Sequence, residues 1–410
     1  MNVRVSTAQR QARLVERHRL ARPAGTAADA AEAMIALHAT DPPTVHLSAW
    51  ARTGCTAGEV DDAMYVQRSL VRMLGMRRTM FVVPVELAPV VQAACTDEIA
   101  QRLRRQLEKD LAKGGVGDGD AGGWLRDVGA GVLRVLNARD GAGTSAAVLC
   151  EGEPRLRTEL IYAPDKSYGG AQYITSRVLM MLGAEGHMVR GHRRGGWTSG
   201  QFEWFSVAAW LKTPDLGGPD SGLDAAQARV ELARRWLRSF GPAPVSDLQW
   251  WAGWTGGQTK AALAALPTAP VDLDGQPGVA LADDLEFPAA APDIAALLPA
   301  LDPTPMGWQA RDWFLGGHRA ALFDRTGNIG PTVWWQGRVV GGWAQRSSGE
   351  IALRLLEDIG ADGATAVAVQ AAELETWLGS NRVTPRFRTP LERELSALGV
   401  RSGVRTGRGC

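Results

Sequence analysis

The sequence His38-Ala39-Thr40-Asp41 brings an imidazole, a hydroxyl and a carboxylate into four residues, immediately ahead of Pro42 and Pro43. Proline lacks an amide donor and restricts the residue before it, so a helix reaching Leu37 must stop here. Side chains at such an end converge, and backbone groups there lack intrahelical partners. An imidazole with an ordinary pKa near ~6.5 can hold a water or partly deprotonate it. The Asp41 carboxylate can oppose developing positive charge, and Thr40 can supply a further hydrogen bond. The plainer reading is turn chemistry alone, since Asp before Pro commonly opens a turn.

A second chemistry belongs to arginine. Of the 45 basic residues only five are Lys (109, 113, 166, 212 and 260), and guanidinium grips phosphate with two parallel hydrogen bonds where ammonium cannot. Residues 1–22 carry six Arg against one Glu, and residues 380–410 carry seven Arg against two Glu. Residues 271–302 hold seven acids and no Lys or Arg. The net charge of +1 therefore conceals basic ends and an acidic insert. Arg190, Arg193 and Arg194 flank a Gly-rich tip, RRGGW, and Arg338 follows Gly337 in a hairpin turn. Phosphate contact is the functional reading of such clusters, and a solvated or salt-bridged face is the plain one.

Other chemistries find little support. A phosphate loop, a dinucleotide-type glycine turn, HExxH and GxSxG are absent. GGVGDG (114–119) follows a helical stretch rather than a strand, and His187 and His192 lack nearby Cys or paired carboxylates, so neither cofactor nor metal is expected. Asp283, Asp284 and Glu286 read as a solvated acidic run. Cys55, Cys95, Cys150 and Cys410 lie far apart, which fits a reducing, cytoplasmic setting. No stretch of 18 uncharged apolar residues exists, and the N-terminus lacks the apolar core of a secretory signal.

The elements that must position these groups follow from periodicity and breakers. Helices are expected over 7–21, from Thr26, over Val45–Thr53 and over 59–70, then a strand over 76–84. Residues 85–112 and 124–137 read as helices, with Thr144 or Ser145 capping AAVLCEG. The segment 176–186 reads as a helix with its Leu and Met in the core, followed by a hairpin whose tip is RRGGW. Helices over 224–240 and 246–266 precede the acidic stretch. PTVWWQ (331–336) and VVGGWAQ (339–345) form a hairpin turning on Gly337-Arg338, and 370–379 reads as a short helix. The order helix, helix, hairpin recurs about three times, which suggests winged helix-turn-helix units in an α+β chain.

LHATDPPTVHLSAWAR (37–52) resembles the segment of AlkZ-type (YcaQ-like) winged-helix DNA glycosylases that reads Leu-Gln-apolar-Gln, a Pro-containing turn and a Leu-x-x-Trp-x-Arg helix. The resemblance continues through LVRMLGMRRTMFVV (70–83), ELIYAPDKSYGGAQYITSRVLMMLGAEGHMVRG (159–191) and GPAPVSDLQWWAGW (241–254). It reaches LDPTPMGWQARDWFL (301–315) and NIGPTVWWQGRVVGGWAQR (328–346). It implies three tandem winged-helix units in a C shape around duplex DNA, here 1–112, 122–212 and 224–400, the last holding the acidic insert. It also implies removal of bulky N7-alkylated purines. Arg52, Arg72, Arg77 and Arg78 would then line a concave face near HATD, with Arg190, Arg193 and Arg194 on a wing. Arg338 would sit on a groove-inserting hairpin, and the acidic insert would lie away from the DNA. The family's catalytic Gln-apolar-Gln, or Gln-apolar-Asp, is replaced by His38 and Thr40, with Asp41 directly after.

The leading expectation is a monomeric, monofunctional DNA glycosylase serving DNA repair or self-resistance to a genotoxin, with double-stranded DNA as partner. The alternative is a non-catalytic winged-helix DNA-binding or regulatory protein that lost the catalytic pair. A third reading is a small-molecule site built from the tryptophans at 250, 251, 254, 334 and 335, although core packing explains them more simply.

Overall fold

The computed structural model describes residues 3–162, 169–212, 216 and 223–397. Arg401, Arg405 and Arg408 of the basic tail, and Lys166, lie outside the described residues. The chain is α+β and forms two compact units interleaved in sequence. The first comprises residues 1–57, 239–247 and 269–410, and the second comprises 58–238 and 248–268.

The first unit is built on a four-stranded antiparallel sheet in the order Ala295–Leu298, Thr332–Trp335, Arg338–Gln345, Ile351–Leu355. Its core is aromatic: Trp308 stands edge-on to Phe240 and Trp313, and Phe314 stacks on Trp334. The helix Thr7–Arg17 opens with a capping box between Ser6 and Gln9. Two expectations need correction. The prolines at 42 and 43 begin a helix, Pro42–Thr53, rather than ending one, because proline's fixed φ and missing donor suit the first turn. The preceding helix, Ala27–Ala33, has already ended, and Leu37–His38 is extended. The helix read over 370–379 is the end of a longer one, Gly360–Leu378.

The second unit alternates helices with short antiparallel strand pairs. Helix Ala121–Asn137 leads through a bridge at Thr144 to helix Ala146–Gly152, then the paired strands Glu159–Tyr162 and Gly170–Tyr173, helix Thr175–Ala184 and the hairpin Met188–Arg193 with Phe202–Ser206. Ser145 caps the second helix, as its sequence position suggests. Leu125, Val128, Val132, Val178, Leu179 and Leu182 meet in one core, so the helical apolar spacing is realised as packing. Leu70–Gly75 and Thr79–Pro84 form a second hairpin in this unit. The helix expected over 59–70 ends instead at a π-helical turn, Asp62–Val66, and Leu70 opens the strand.

Candidate functional site

The helix Pro42–Thr53 is buried from Pro43 to Thr53, so hydrophobicity cannot decide which face points where. Polar anchors do. Arg52 donates to both carboxylate oxygens of Asp302, at 2.9 and 2.7 Å, and Ser48 donates to the same group at 2.7 Å. Arg52 also donates to the Thr304 hydroxyl at 2.8 Å, and that hydroxyl lies 2.9 Å from His18 Nδ1. His18 Nε2 lies 3.2 Å from the Ser239 carbonyl, so the ring donates there and accepts from Thr304. Burial pushes the Asp302 carboxyl up, but Arg52 and the hydrogen bonds outweigh it and hold it below the usual range. Burial, reinforced by the Arg52 charge, drives His18 down to about 3. Arg52 is 0% exposed. Its expected role at phosphate is therefore corrected: a guanidinium sealed against Asp302 anchors the helix.

HATD leads into that helix. Asp41 stands at the N-cap position without capping through its side chain. Its Oδ2 instead accepts from the Arg386 amide at 3.3 Å. With Pro43, Pro331, Gln345 and Thr384 it lines a cavity of about 20 Å³, roughly the room of one water. The Thr40 amide donates to His38 Nδ1 at 3.4 Å. His38 and Asp41 are 6% and 4% exposed, and Thr40 is half-buried. The neighbours Arg386 and Gln345 were invisible to sequence reading, because they come from segments 300 residues or more away.

The basic N-terminus and the acidic insert are engaged with each other. Arg13 and Arg17 pair with Asp284, and Arg4 lies 3.6 Å from Asp274. Arg10 lies over the Trp313 ring at 4.0 Å. Much of the terminal charge excess is thereby neutralised inside this unit. Arg338 likewise departs from expectation. The hairpin turns on Gln336-Gly337, both at positive φ, and Arg338 opens the next strand opposite Trp335. A Cβ on Gly337 would meet the Gln11 carbonyl at 2.5 Å, so the turn is seated on the N-terminal helix. Arg338 pairs with Glu357. A packed turn and a neutralised guanidinium do not make a groove-inserting tip.

In the second unit three arginines meet, and Asp61 is the acid that acts on one of them, Arg193. Arg72 is 4% exposed, and its Nε and Nη2 are buried without acceptors. Its strand packs against the strand bearing Arg190 and Arg193. Burial first, and then the Arg72 charge, push Arg190 and Arg193 down to about 10, with Tyr65 and Asp61 offsetting part of the shift at Arg193. Arg190 lies over the Phe202 and Trp204 rings at 4.5 and 5.2 Å. Arg193 donates to the Ser199 carbonyl, and its Nε has no acceptor. Arg194, at the exposed tip, reaches Glu203 at 3.3 Å. Arg77 and Arg78 sit in the turn between Gly75 and Thr79. Tyr65, in the π-helical turn, is a neighbour that no sequence signal marked.

Among the described residues no group of three His, Cys, Asp or Glu could hold a metal ion, and no helix is long and apolar enough to cross a membrane. A search of curated proteins finds no match. Among solved structures the chain is similar to the Streptomyces sahachiroi DNA glycosylase AlkZ, with a TM-score of 0.68 at 19% identity over 93% of this chain and 99% of that one. The family profile described as DNA glycosylase AlkZ-like matches residues 31–377. By that match, which spans most of its length and includes the HATD segment, the chain belongs to the AlkZ-like DNA glycosylase family.

Proposed function

We propose that this protein hydrolyses the N-glycosidic bond of bulky N7-alkylated purines in double-stranded DNA, as a monofunctional glycosylase on three winged-helix units (1–112, 122–212 and 224–400). An N7-alkylated purine already carries positive charge and leaves without a proton donor. The protein then has two tasks, to place a water and to stabilise an oxocarbenium-like sugar. The observation that carries the hydrolytic reading is the Asp41 carboxylate beside a cavity of one water's size, at a position its helix does not use for capping. Asp41 opposes the sugar's positive charge. His38 holds the water or a sugar oxygen, and the Thr40 hydroxyl adds a hydrogen bond. Arg72, Arg190 and Arg193 hold backbone phosphate, assisted at the surface by Arg78 and Arg194.

Base release from a duplex carrying an N7-alkylguanine tests this. Wild type should release the base, and His38→Ala and Asp41→Asn should each be slower by about 10²-fold, the low end for positioned acid–base groups. Equal rates would remove those residues from the mechanism. The burial of His38 and Asp41 favours a second reading, a non-catalytic DNA-binding protein. Tight duplex binding with no base release by wild type would establish it.

A further inference from the structure

A cavity of about 570 Å³ lies within the second unit. Its floor is apolar, with Ile99, Leu103, Leu107 and Met180, and the rings of Tyr162 and Trp254 stand in its wall. Cys95 adds to the apolar lining, because burial pushes its thiol up to about 12 and keeps it neutral. Four arginines and one glutamate line this space. Arg177 is paired with Asp110, and Glu98 is engaged by Arg229 at 2.7 Å and Gln258 at 2.6 Å. Arg102 reaches that same Glu98 at 3.5 Å.

Arg77 and Arg78 are left over. Neither pairs with an acid among the described residues, and Arg77 Nε is buried without an acceptor. Arg77 is held over the Trp250 ring at 3.7 Å, and Gly253, at positive φ, lets its backbone pass close by. Both arginines adopt left-handed backbone, at φ 52 and 58, where glycine or asparagine would be at ease. Such strain concentrates where side chains serve a ligand.

We propose that this cavity is a nucleotide site: it takes one planar nucleobase carrying one phosphate, the ring among the apolar and aromatic side chains and the phosphate on Arg77 and Arg78. The apolar floor and ring walls suit a base, since base–aromatic contacts are independent of sequence. Gln172 is among the lining residues, and its amide can pair with a base edge. Two unpaired guanidiniums match one phosphate. The occupant comes either as a free nucleotide or as an unpaired nucleotide within DNA. This site goes beyond the glycosidic chemistry and needs none of it.

The test titrates the full-length protein with 5′-dGMP while following tryptophan fluorescence and heat, and separately compares a duplex bearing a one-nucleotide bulge with its fully paired counterpart. Quenching and heat on adding dGMP are expected. Arg78→Gly relieves the left-handed backbone and so keeps the fold, yet should weaken dGMP binding at least about 10-fold. Leu103→Trp, which fills the cavity and leaves the guanidiniums in place, should abolish it. A preference for the bulged duplex that Leu103→Trp removes identifies the source as DNA. Binding of dGMP without that preference identifies a free nucleotide, and both results support the site. Absence of dGMP binding together with equal affinity for the two duplexes overturns it, as does dGMP binding unchanged in both variants. Base release from the alkylated duplex is measured on the Leu103→Trp sample, which keeps every residue assigned to DNA phosphate, so loss of one property is separable from loss of the other.

Discussion

Arg52 and Arg72 are both buried arginines from the first quarter of the chain, and they do opposite things. Arg52 meets Asp302, Ser48 and Thr304 in a network that leaves almost every polar group satisfied. Arg72 faces Arg190 and Arg193, with two nitrogens lacking acceptors. A buried charge with its partner fixes a helix. A buried charge set among like charges gains from an anion, which is the role proposed for Arg72, Arg190 and Arg193.

The largest effect expected from this contrast follows from breaking the satisfied network. Arg52→Ala leaves Asp302 buried and uncompensated, which should cost about 3–5 kcal/mol in urea unfolding. Arg72→Met removes an unmatched charge and should leave unfolding stability unchanged or slightly higher, so equal losses in the two variants would erase the distinction.

The same network titrates. His18 is neutral and at about 3 in the folded state, against ~6.5 unfolded, so the unfolded chain binds the extra proton between those values. Stability from this group is complete above pH 6.5 and is lost as pH falls, by up to about 1.4 kcal/mol per pH unit. Thermal unfolding from pH 7 to pH 4 should show this slope, and His18→Phe should flatten it. A slope retained in the variant would place the titration elsewhere.

The smallest effect is expected at Arg338. Its charge is matched by Glu357, so Arg338→Ala should change duplex affinity less than about twofold and stability by ~0.5 kcal/mol. A larger loss of affinity would restore the hairpin as a DNA contact.

What was legible in the sequence was local. The helix over 124–137, the one from Ala146 with a cap at Thr144 or Ser145, and the hairpin after Met188 follow from spacing and breakers within a dozen residues, although the first helix begins three residues earlier, at Ala121. The family resemblance held because its motifs run in order along the chain. What failed depended on distant partners. Nothing near Arg52 foretells a carboxylate 250 residues on, and nothing in PTVWWQGRVV shows that Gly337 rests on Gln11. The prolines after HATD misled because proline suits a helix start as well as a stop, and only the position of the earlier helix end decides between them. The charge segments were visible, but that Arg13 and Arg17 would take Asp284 as their counterion was not.

The most direct test of the contrast is the salt dependence of duplex binding by wild type and Arg72→Met. If Arg72 completes a phosphate site, the slope of log affinity against log salt should shrink by about 0.9, one released counterion, with weaker binding at every salt concentration. An unchanged slope and affinity in a folded Arg72→Met protein would contradict the account.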